Sequence, residues 1–457
     1  MMHSEALDIL KGIVDTDMCV GCGVCAVQSE EEPLKMVWNE KGFLVPSLHD
    51  QTSLSINSVN VCPFNPKPES DVRTEDELAD WFLADAPKRE IKIGRYFNSY
   101  VGFSNKFRKT SSSGGLATYL IEYLLKEHIV DAVFAVCEGD SQDEHFGYRI
   151  IRKAEDVLAS SKTRYYPVSL TDVLSQLPQV DGKVAIVGIP CFIKAIRLHQ
   201  HYNPELKDKI AFLIGIICGG MKSRFFAEYL SSKAGLESKE YYHPEFRIKD
   251  PKSVALDYSY GCEDEKGNSF RLKMSKAGDM WGTGLFKNNA CDFCDDVAAE
   301  LADISLGDAW ISPYSEDGRG TNVVITRTKL AEDIINNGKV SGQLSLERLE
   351  EEGFISSQQG GYNHRRRGMG YRIKRARRFG IKVPPKRFEK LPVNAEFKIV
   401  QKYRMKVRKM SLLVWPKTKN ALAFDMGMKG CLTQLSRSTR GYHYVRRVRQ
   451  IINKIVS

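Results

Sequence analysis

The 457-residue sequence lacks any long hydrophobic run. Its longest apolar stretch, which begins at Ile210, has about 12 residues, whereas a membrane-spanning helix needs about 20. The first ten residues hold acidic side chains but no lysine or arginine ahead of an apolar segment, which is not the pattern of a cleavable export signal. These absences predict a protein that crosses no bilayer and works in the cytoplasm.

The last part of the chain has almost no acidic residues. Between Gly361 and Ser457 there are 27 Lys and Arg but only 3 Asp and Glu, a net charge of +24. Because the whole chain carries +10, the first 360 residues sum to −14. Apolar residues at helical spacing opposite arginines in YHYVRRVRQIINKIV predict contact with an acidic partner or with the anionic inner face of a membrane. A solvated tail and nucleic-acid binding are the alternatives, and nucleic acid is the less favoured.

Eleven cysteines are present, and three of them form a CxxCxxC motif near the N-terminus. In a reducing compartment, clustered cysteines are more often metal ligands than disulfides. One tight turn can supply three thiolates to an iron-sulfur cluster when Gly21 and Gly23 allow a close approach. The fourth ligand usually precedes a proline, as Cys62 does. We predict one 4Fe-4S cluster on Cys19, Cys22, Cys25 and Cys62, with a four-cysteine zinc site as the alternative.

The rest of the chain divides into segments of different pattern, without any repeat of fixed period. From Tyr100 onwards, short apolar runs alternate with helical stretches, which indicates an α/β core. TEDELADWFLADA has the Thr and Glu spacing of a capped helix. We therefore predict an α/β core with a small N-terminal ferredoxin-like 4Fe-4S segment and a basic, partly helical C-terminal extension. The predicted segments are 1–72 (ferredoxin-like), 73–98 (linker helix), 99–210 and 211–345 (the two parts of the core) and 346–457 (extension).

A second group of cysteines is spread over the core. Cys291 and Cys294 form a CxxC pair, while Cys191 and Cys218 follow two predicted strands. Because ligands in α/β sheets gather at the carboxyl ends of strands, all four could meet there. A lone CxxC also fits zinc or a redox disulfide, and simple burial is the commonest fate of a free cysteine. The cysteines without partner spacing are expected to pack in the core; they are Cys137, Cys262 and Cys431.

A serine-glycine turn precedes a strongly helical run in TSSSGGLATYLIEYLL. Backbone amides at such a helix start, with the hydroxyls of Ser111, Ser112 and Ser113 beside them, form an anion site. Gly114 and Gly115 would let a phosphate approach closely. An ordinary serine N-cap is the alternative.

The segment SSKTRYY is a second candidate for binding a cofactor. Lys162 and Arg164 would neutralise the phosphates of a dinucleotide, and Tyr165 or Tyr166 would stack on a ring. Solvent-exposed charge is the ordinary alternative for such a segment.

Taken in order, these motifs resemble the beta subunits of coenzyme F420 hydrogenases and dehydrogenases, flavoproteins that exchange hydride with a deazaflavin coenzyme. The resemblance runs from Cys19 to about Asn337. It is carried by SSSGGLATYLIEYLL, SSKTRYY, KVAIVGIPCFIKAI, IGIICGG and CDFCDDVAAELADISLGDAW. Gly219 departs from the family pattern, which often has histidine there, and the basic extension has no counterpart in the core family.

The resemblance implies FAD and a second 4Fe-4S cluster. It places Ser112, Ser113, Gly114 and Gly115 near the FAD phosphates and Lys162 on the same cofactor. It assigns the second cluster to Cys191, Cys218, Cys291 and Cys294. Asp308 is the carboxylate expected near the active centre, and a strand-end aspartate that caps the next turn is the alternative.

These expectations predict an iron-sulfur flavoprotein oxidoreductase. A flavin accepts two electrons as hydride and releases them singly, while each cluster carries one electron. The N-terminal cluster would meet a redox carrier such as ferredoxin or a partner subunit, the second cluster would relay electrons, and FAD would reduce or oxidise the substrate. Bacterial relatives with such an extension lie among cell-surface polysaccharide genes, so the substrate is expected to be a deazaflavin coenzyme or a sugar-linked molecule. The alternatives are an electron-transfer subunit without substrate chemistry and a zinc-stabilised nucleic-acid-binding protein.

Overall fold

The computed structural model describes residues 2–28, 34–49, 52, 54–139, 144–237 and 240–456. Within these ranges the chain forms fifteen strands and fifteen α-helices. The strands are β1 (Met36–Trp38), β2 (Leu44–Pro46), β3 (Lys88–Glu90), β4 (Gly94–Tyr96), β5 (Asn98–Ser104), β6 (Ala132–Glu138), β7 (Phe146–Ile151), β8 (Val184–Gly188), β9 (Ile210–Ile216), β10 (Tyr242–Ile248), β11 (Ser259–Glu263), β12 (Ser269–Lys273), β13 (Ile304–Asp308), β14 (Asn322–Thr326) and β15 (Leu344–Arg348). The helices are α1 (Met2–Asp15), α2 (Ile56–Asn60), α3 (Glu75–Phe82), α4 (Leu116–Lys126), α5 (Thr171–Ser175), α6 (Pro190–Tyr202), α7 (Leu206–Lys209), α8 (Phe225–Lys233), α9 (Met274–Ala277), α10 (Lys329–Val340), α11 (Glu351–Ser357), α12 (Gln359–Tyr362), α13 (Met369–Arg378), α14 (Ala395–Thr418) and α15 (Ala421–Val456).

An eight-stranded mixed sheet forms the centre of the molecule, in the order β15-β5-β14-β13-β9-β8-β6-β7. The four strands β13, β9, β8 and β6 are parallel neighbours, and the outer pairs are antiparallel. Parallel strands covered on both faces read as continuous apolar runs, as in the segment VAIVG of β8. The predicted α/β core is confirmed, and the carboxyl ends of its parallel strands lie at one edge.

Helices cover both faces of this sheet. Alternate residues of β6 point to opposite sides, because side chains in a strand have a period of two. Ala132 and Phe134 pack with α1, α6 and the N-terminal cysteine segment, whereas Val133 and Ala135 pack with α4 and α10. The N-terminal segment therefore shares a hydrophobic core with the sheet.

A three-stranded antiparallel sheet, β10-β11-β12, forms a second and smaller layer. Its aromatic residues pack with α8 and with the two long C-terminal helices, α14 and α15. Trp415 lies fully buried in this contact and donates its indole N–H to Glu228 Oε2 at 2.6 Å. The extension is thus part of the packed structure.

The predicted cap of α3 is confirmed. Thr74 Oγ1 accepts the N–H of Asp76 at 3.3 Å, and Glu77 Oε2 accepts the N–H of Thr74 at 2.8 Å. This reciprocal pair is a capping box, which satisfies amides that the first helical turn leaves free.

The extension is more helical than its sequence pattern predicts, since α13, α14 and α15 fill much of it. Arginine, lysine and methionine have high intrinsic helix propensity, so a basic composition does not oppose this state. The strand β15 crosses the predicted boundary at residue 345 and pairs with β5 in the main sheet. None of the described helices, including the 36-residue α15, is both long and apolar enough to span a membrane.

Candidate functional site

The four cysteines of the predicted N-terminal set surround one cavity. Cys19, Cys22 and Cys25 lie on the loop after α1, and Cys62 lies just beyond α2. All four line the same cavity together with apolar side chains such as Leu10 and Ile13. The structure therefore brings together the four cysteines whose positions in the sequence predict one site.

Two glycines shape the loop that carries three of these cysteines. Gly21 and Gly23 have φ angles of +69° and +78°, a region that other residues rarely adopt. A Cβ atom on Gly23 would also lie 2.1 Å from Thr171 Oγ1. In this conformation the Gly21 N–H donates to Cys19 Sγ at 3.3 Å. The turn thus directs backbone amides at sulfur, which favours its anionic form.

The N-terminal segment is also tied to distant parts of the chain. The Leu170 N–H donates to the Cys22 carbonyl at 2.9 Å. Asn288 Nδ2 donates to the Cys19 carbonyl at 2.9 Å. Both parts of the core, 99–210 and 211–345, therefore donate hydrogen bonds to the cysteine loop.

Burial makes the free thiolates of this set unfavourable. It raises the pKa of Cys19 to about 12 and that of Cys22 to about 11. Burial and the neighbouring cysteines raise the pKa of Cys25 and Cys62 as well. Burial therefore favours the neutral thiols, and positive charge bound among them would favour the thiolates that metal ligation requires.

The spacing of the sulfurs can be compared with that of the ligands of a zinc ion. Zinc binds thiolates at about 2.3 Å, which places neighbouring sulfurs about 3.8 Å apart. Among the described residues, no three cysteine sulfurs lie within 4.8 Å of one another, and the group found that close is Glu69, Asp71 and His201. The cysteine sulfurs are therefore spaced more widely than the ligands of a single zinc ion.

The second predicted set meets at the carboxyl edge of the parallel strands. Cys191 lies in the first turn of α6, shortly after β8, and Cys218 follows β9. Cys291 and Cys294 lie in and just after a short turn, and all four thiols interact electrostatically. The N–H groups of Gly220 and Met221 donate to the sulfurs of Cys218 and Cys291 at 3.3 and 3.2 Å, respectively.

The two sets of cysteines are neighbours. Cys22 and Cys191 are close enough to interact electrostatically. Tyr148 lies beside both: burial first, and then these two cysteines, raise its pKa, and its O–H donates to the Val187 carbonyl at 2.9 Å. The structure thus places the two four-cysteine sets next to each other.

Two basic residues from the extension reach the second set, and the sequence pattern gave no sign of either. Arg365 lies on a π-helical turn, Asn363–Arg367, and interacts with Cys294, Cys218 and Cys291. Lys386 interacts with Cys294 but also pairs with Asp295 at 3.6 Å. Their positions depend on the folding of α11 to α14 and not on local spacing.

The serine-glycine turn lies at the same edge of the sheet, near Asn322. Its serines do not cap α4, because the N-cap residue is Gly115 and the Leu116 N–H donates to Asn322 Oδ1 at 3.3 Å. Gly115 has a φ of +84°, and a Cβ there would lie 2.6 Å from the Phe107 carbonyl carbon. The serine N-cap expected as the alternative is therefore absent from this helix start.

The turn also meets the second cofactor candidate. The Thr163 N–H of SSKTRYY donates to Ser112 Oγ at 3.0 Å. Lys162, in the same segment, pairs with Glu245 at 2.7 Å. Tyr166 is buried against Trp38 and Phe146 and so cannot stack on a ligand. The two sequence candidates form one site.

A lysine that sequence reasoning missed adds charge to this site. Lys249 Nζ donates to the carbonyls of Ser113 and Arg319 at 3.0 and 2.8 Å. Burial first, and then Arg108, Lys162 and Arg247, lower its pKa to about 8. Because these cations repel one another, an anion such as phosphate would bind favourably among them. We call the serine-glycine turn, Lys162 and Lys249 the phosphate turn.

Asp308 ends β13, in register with Asn322 and Gly102 of the next strands. Its Oδ2 accepts from Arg247 Nη1 at 2.7 Å, and Arg247 in turn interacts with Tyr165. The structure thus places Asp308 beside the phosphate turn but gives it an ion-pair partner. This ion pair differs from the turn cap expected as the alternative.

The remaining cysteines take no part in either set. Cys137 and Cys262 are buried, as expected, and Cys431 is half-buried against the aromatic layer.

Known proteins that resemble the chain include the coenzyme F420-dependent sulfite reductase of Methanocaldococcus jannaschii, 26% identical over 360 residues, which are 75% of this chain and 49% of that protein. The coenzyme F420 hydrogenase subunit beta of Methanosarcina barkeri is 27% identical over 252 residues, covering 53% of this chain and 78% of that protein. A structure of the F420-reducing NiFe hydrogenase complex from Methanosarcina barkeri has a TM-score of 0.49 and 22% identity, covering 65% of this chain and 98% of that chain. The chain spans about half the length of the sulfite reductase.

Two family models match the chain, and both describe the beta subunit of coenzyme F420 hydrogenase/dehydrogenase. The model of its N-terminal part matches residues 99–175, and the model of its C-terminal part matches residues 181–352. Together they cover more than half of the chain, including the phosphate turn and the second cysteine set. The N-terminal cysteine set and Arg365 lie outside both. The chain therefore belongs to the coenzyme F420 hydrogenase/dehydrogenase beta subunit family.

Proposed function

We propose that this chain is an iron-sulfur flavoprotein oxidoreductase that passes electrons between 4Fe-4S clusters, FAD and a substrate that gives or accepts hydride. One cluster would bind the N-terminal, ferredoxin-like cysteine set, and another would bind the second set. The observation that supports this most directly is that the two four-cysteine sets are neighbours, and that the second set lies at the sheet edge where the phosphate turn also lies. When bound, clusters supply one-electron transfer and a flavin supplies hydride exchange.

The residues of this chain would bind, orient and shield those groups. Eight thiolates would hold the iron, and the amides of Gly21, Gly220 and Met221 would stabilise the negative charge on sulfur. Ser112, Ser113, Gly114 and Gly115, with Lys162 and Lys249, would bind the FAD phosphates. Asp308 would hold Arg247 in place beside Tyr165.

The substrate is proposed to be coenzyme F420 or a related hydride carrier. The names of similar proteins include an F420-dependent sulfite reductase, an F420 hydrogenase and an F420-dependent formate dehydrogenase. A sugar-linked substrate of cell-surface polysaccharide synthesis is the alternative, and it rests on the sequence resemblance alone. Oxidation of reduced F420 by the purified protein, followed at the coenzyme's absorbance, separates the two.

A partner protein is part of the proposal. Several similar proteins are named as subunits, so this chain would exchange electrons with a partner subunit or with a carrier such as ferredoxin. If the isolated chain reduces no substrate with artificial electron donors, the role of an electron-transfer subunit is favoured instead.

The nucleic-acid alternative loses support from the burial of its arginines. Within RRRGMGYRIKRARR, Arg365, Arg366 and Arg372 are buried, with exposed fractions of 7%, 3% and 2%. These three side chains cannot contact a phosphate backbone, whereas Lys374, Arg375, Arg377 and Arg378 of the same segment are exposed. The sulfur spacing described above also disfavours its zinc component.

The two C-terminal helices support a surface contact instead. α14 and α15 form a hairpin whose outward side we call the basic face. Large apolar residues are exposed on it, among them Leu422 (72%), Met426 (71%), Tyr444 (70%) and Ile451 (58%). Exposed basic residues lie around them: Lys402, Lys406, Lys409, Lys429, Arg437, Arg440, Arg446 and Arg447. Basic and apolar residues on one helical face favour an anionic membrane surface, with an acidic protein as the alternative.

Anaerobic purification with assays for iron, sulfide, zinc and flavin tests the proposal. We expect about eight iron, eight sulfide and one FAD per chain. Cys62→Ser and Cys294→Ser should each lose about half of the iron, while the control Cys137→Ser, which changes a buried cysteine outside both sets, should lose none. Lys249→Met should weaken FAD binding without loss of iron. A colourless protein that contains zinc would overturn the proposal.

A further inference from the structure

Trp281 lies in a loop beside the second cysteine set. The loop, residues 278–286, follows α9 and contains no helix or strand, and the Trp281 side chain is half-buried. Its ring lies against the backbone of Gly219, where a Cβ atom would lie 3.2 Å from Trp281 Cε3. Gly219 directly follows Cys218, a member of the second set. Any side chain at position 219 would therefore crowd the indole ring.

Trp281 also contacts the segment SSKTRYY. The ring centroids of Trp281 and Tyr165 lie 4.7 Å apart, with their planes at 68°, and edge-to-face pairs of this kind are favourable. Both side chains are half-buried. The rings that pack against them, Phe226 and Phe246, are each only 1% exposed. Tyr165 and Trp281 thus form a partly accessible pair of rings, which we call the aromatic corner.

The aromatic corner adjoins the phosphate turn through two segments of the chain. Tyr165 comes two residues after Thr163, whose N–H donates to the serine-glycine turn at 3.0 Å. Phe246, which packs against Tyr165, comes three residues before Lys249, and the Lys249 ammonium donates to the same turn at 3.0 Å. The aromatic corner therefore connects the phosphate turn to the second cysteine set.

A buried lysine holds the loop that carries Trp281. Lys222 is 2% exposed, and its Nζ donates to the carbonyls of Met280 and Leu285 at 2.8 and 2.6 Å. The same ammonium lies 4.6 Å from the centre of the Trp281 ring, which is a cation–π contact. Arg404 of the extension donates to the Trp281 carbonyl at 3.4 Å. Because burying an ammonium is costly, these contacts indicate that the position of Trp281 matters to the site.

Resting on the function proposed above, we propose that Trp281 and Tyr165 bind the ring system of the flavin. Aromatic side chains offer large apolar faces that suit an extended planar ring. The phosphate turn would bind the diphosphate of the same FAD, so the flavin ring would lie at the end of the site next to the second cysteine set. Lys222 is a positioning residue, since it acts through the loop that carries Trp281.

Equilibrium dialysis with FAD and with ADP tests this inference, because ADP has the diphosphate and adenine of FAD but no flavin ring. The full chain is used anaerobically after removal of bound flavin, with iron and sulfide assayed to show that the clusters remain. Trp281→Leu should weaken FAD binding by roughly 2- to 13-fold, the equivalent of about 0.5–1.5 kcal/mol, and leave ADP binding unchanged. Lys222→Met should have the same selective effect, whereas Lys249→Met should weaken the binding of both ligands.

Two further variants make the test independent of any loss of folding. Trp281→Phe keeps an aromatic ring and should retain most of the FAD affinity. Bound FAD should quench tryptophan emission more in the wild type than in Trp281→Phe, because the variant lacks the indole nearest the flavin. Trp81→Leu, at a 53% exposed position on α3, is the matched control and should change neither affinity.

Two results would overturn the inference. One is a Trp281→Leu protein whose FAD affinity is unchanged, or falls no more than its ADP affinity. The other is equal quenching of tryptophan emission by FAD in the wild type and in Trp281→Phe. Failure of the underlying function is recognised separately, since a wild-type chain that is isolated without flavin and binds no FAD would fail before any variant is compared.

Discussion

His199 is a buried histidine whose environment disfavours its charged form. It lies 7% exposed in α6, with its Nδ1 3.0 Å from Asn203 Nδ2. Burial lowers its pKa from 6.5 to about 4, against a smaller opposite effect of Glu205. Between pH 6.5 and 4 the unfolded histidine therefore binds a proton that the folded one does not. The protein should lose stability as the pH falls through this range, by up to about 1.4 kcal/mol per pH unit.

Replacing this histidine should remove that loss. His199→Asn keeps an acceptor for Asn203 and cannot titrate, so its urea midpoint should fall less than that of the wild type between pH 7 and pH 5. His128→Asn is the matched control, because His128 is exposed and its φ of +51° suits asparagine. Equal pH dependence of the His199→Asn and wild-type midpoints would contradict the prediction.

Residues with local spacing were predictable, and residues held by distant partners were not. The CxxCxxC motif and the serine-glycine turn each have their functional groups within a few positions, and Cys62 is marked by the proline that follows it. Lys249 meets Ser113 only because β10 crosses over the turn, and Arg365 meets Cys218 only because the extension folds back. No local pattern in the sequence predicts such contacts.

The capped helix α3 gives a prediction at the scale of one element. Thr74→Ala removes the side chain that accepts the Asp76 N–H, so it should lower the free energy of unfolding by about 1 kcal/mol. Thr433→Ala, at an exposed position inside α15, is the control and should not destabilise. The measurement is chemical unfolding of both variants and the wild type. Equal losses in the two variants would show that the cap contributes nothing specific.

Elements with strong apolar patterns were predicted well. The runs KVAIVGIP and KIAFLIGIIC form β8 and β9, because buried parallel strands need continuous apolar residues. The helices of the extension were harder to foresee. Basic residues on α13 and α14 that read as surface charge are partly buried, and their partners lie elsewhere in the chain.

At the scale of the whole molecule, opposite charges link the extension to the core. The core segment is net negative and the extension net positive, and buried ion pairs join them. Arg387 Nη1 lies 2.7 Å from Glu300 Oε2, and its Nε lies 3.5 Å from Glu75 Oε2. Arg408 pairs with Asp292 at 2.8 Å.

Breaking one of these pairs should be costly. Arg387→Met would leave buried carboxylates unpaired and should lower the free energy of unfolding by about 3–5 kcal/mol. Arg377→Met breaks an exposed pair with Glu389 and should cost less than about 1 kcal/mol. Urea unfolding measures both. A loss below about 1 kcal/mol for Arg387→Met would mean that the extension is only weakly attached.

The basic face gives a prediction about surfaces. The protein should sediment with vesicles that contain anionic lipid, less at high salt, and should not sediment with neutral vesicles. Tyr444→Ser with Ile451→Ser should weaken this binding, whereas Val340→Ser, at an 89% exposed position on α10, should not. Deleting the extension is a poor test, since it removes buried arginines. Unchanged binding of the double variant would exclude the basic face.

The hydrogen bond between Asn288 and Cys19 has a consequence for folding during synthesis. The two residues are 269 positions apart, and a ribosome adding roughly 5–20 residues per second needs roughly 13–54 s to cover that distance. During this interval three N-terminal thiols are outside the ribosome without the contacts that bury them in the finished fold. Loading of the first site is therefore expected to follow release of most of the chain, and nascent chains should be most sensitive to oxidants before residue 288 has emerged.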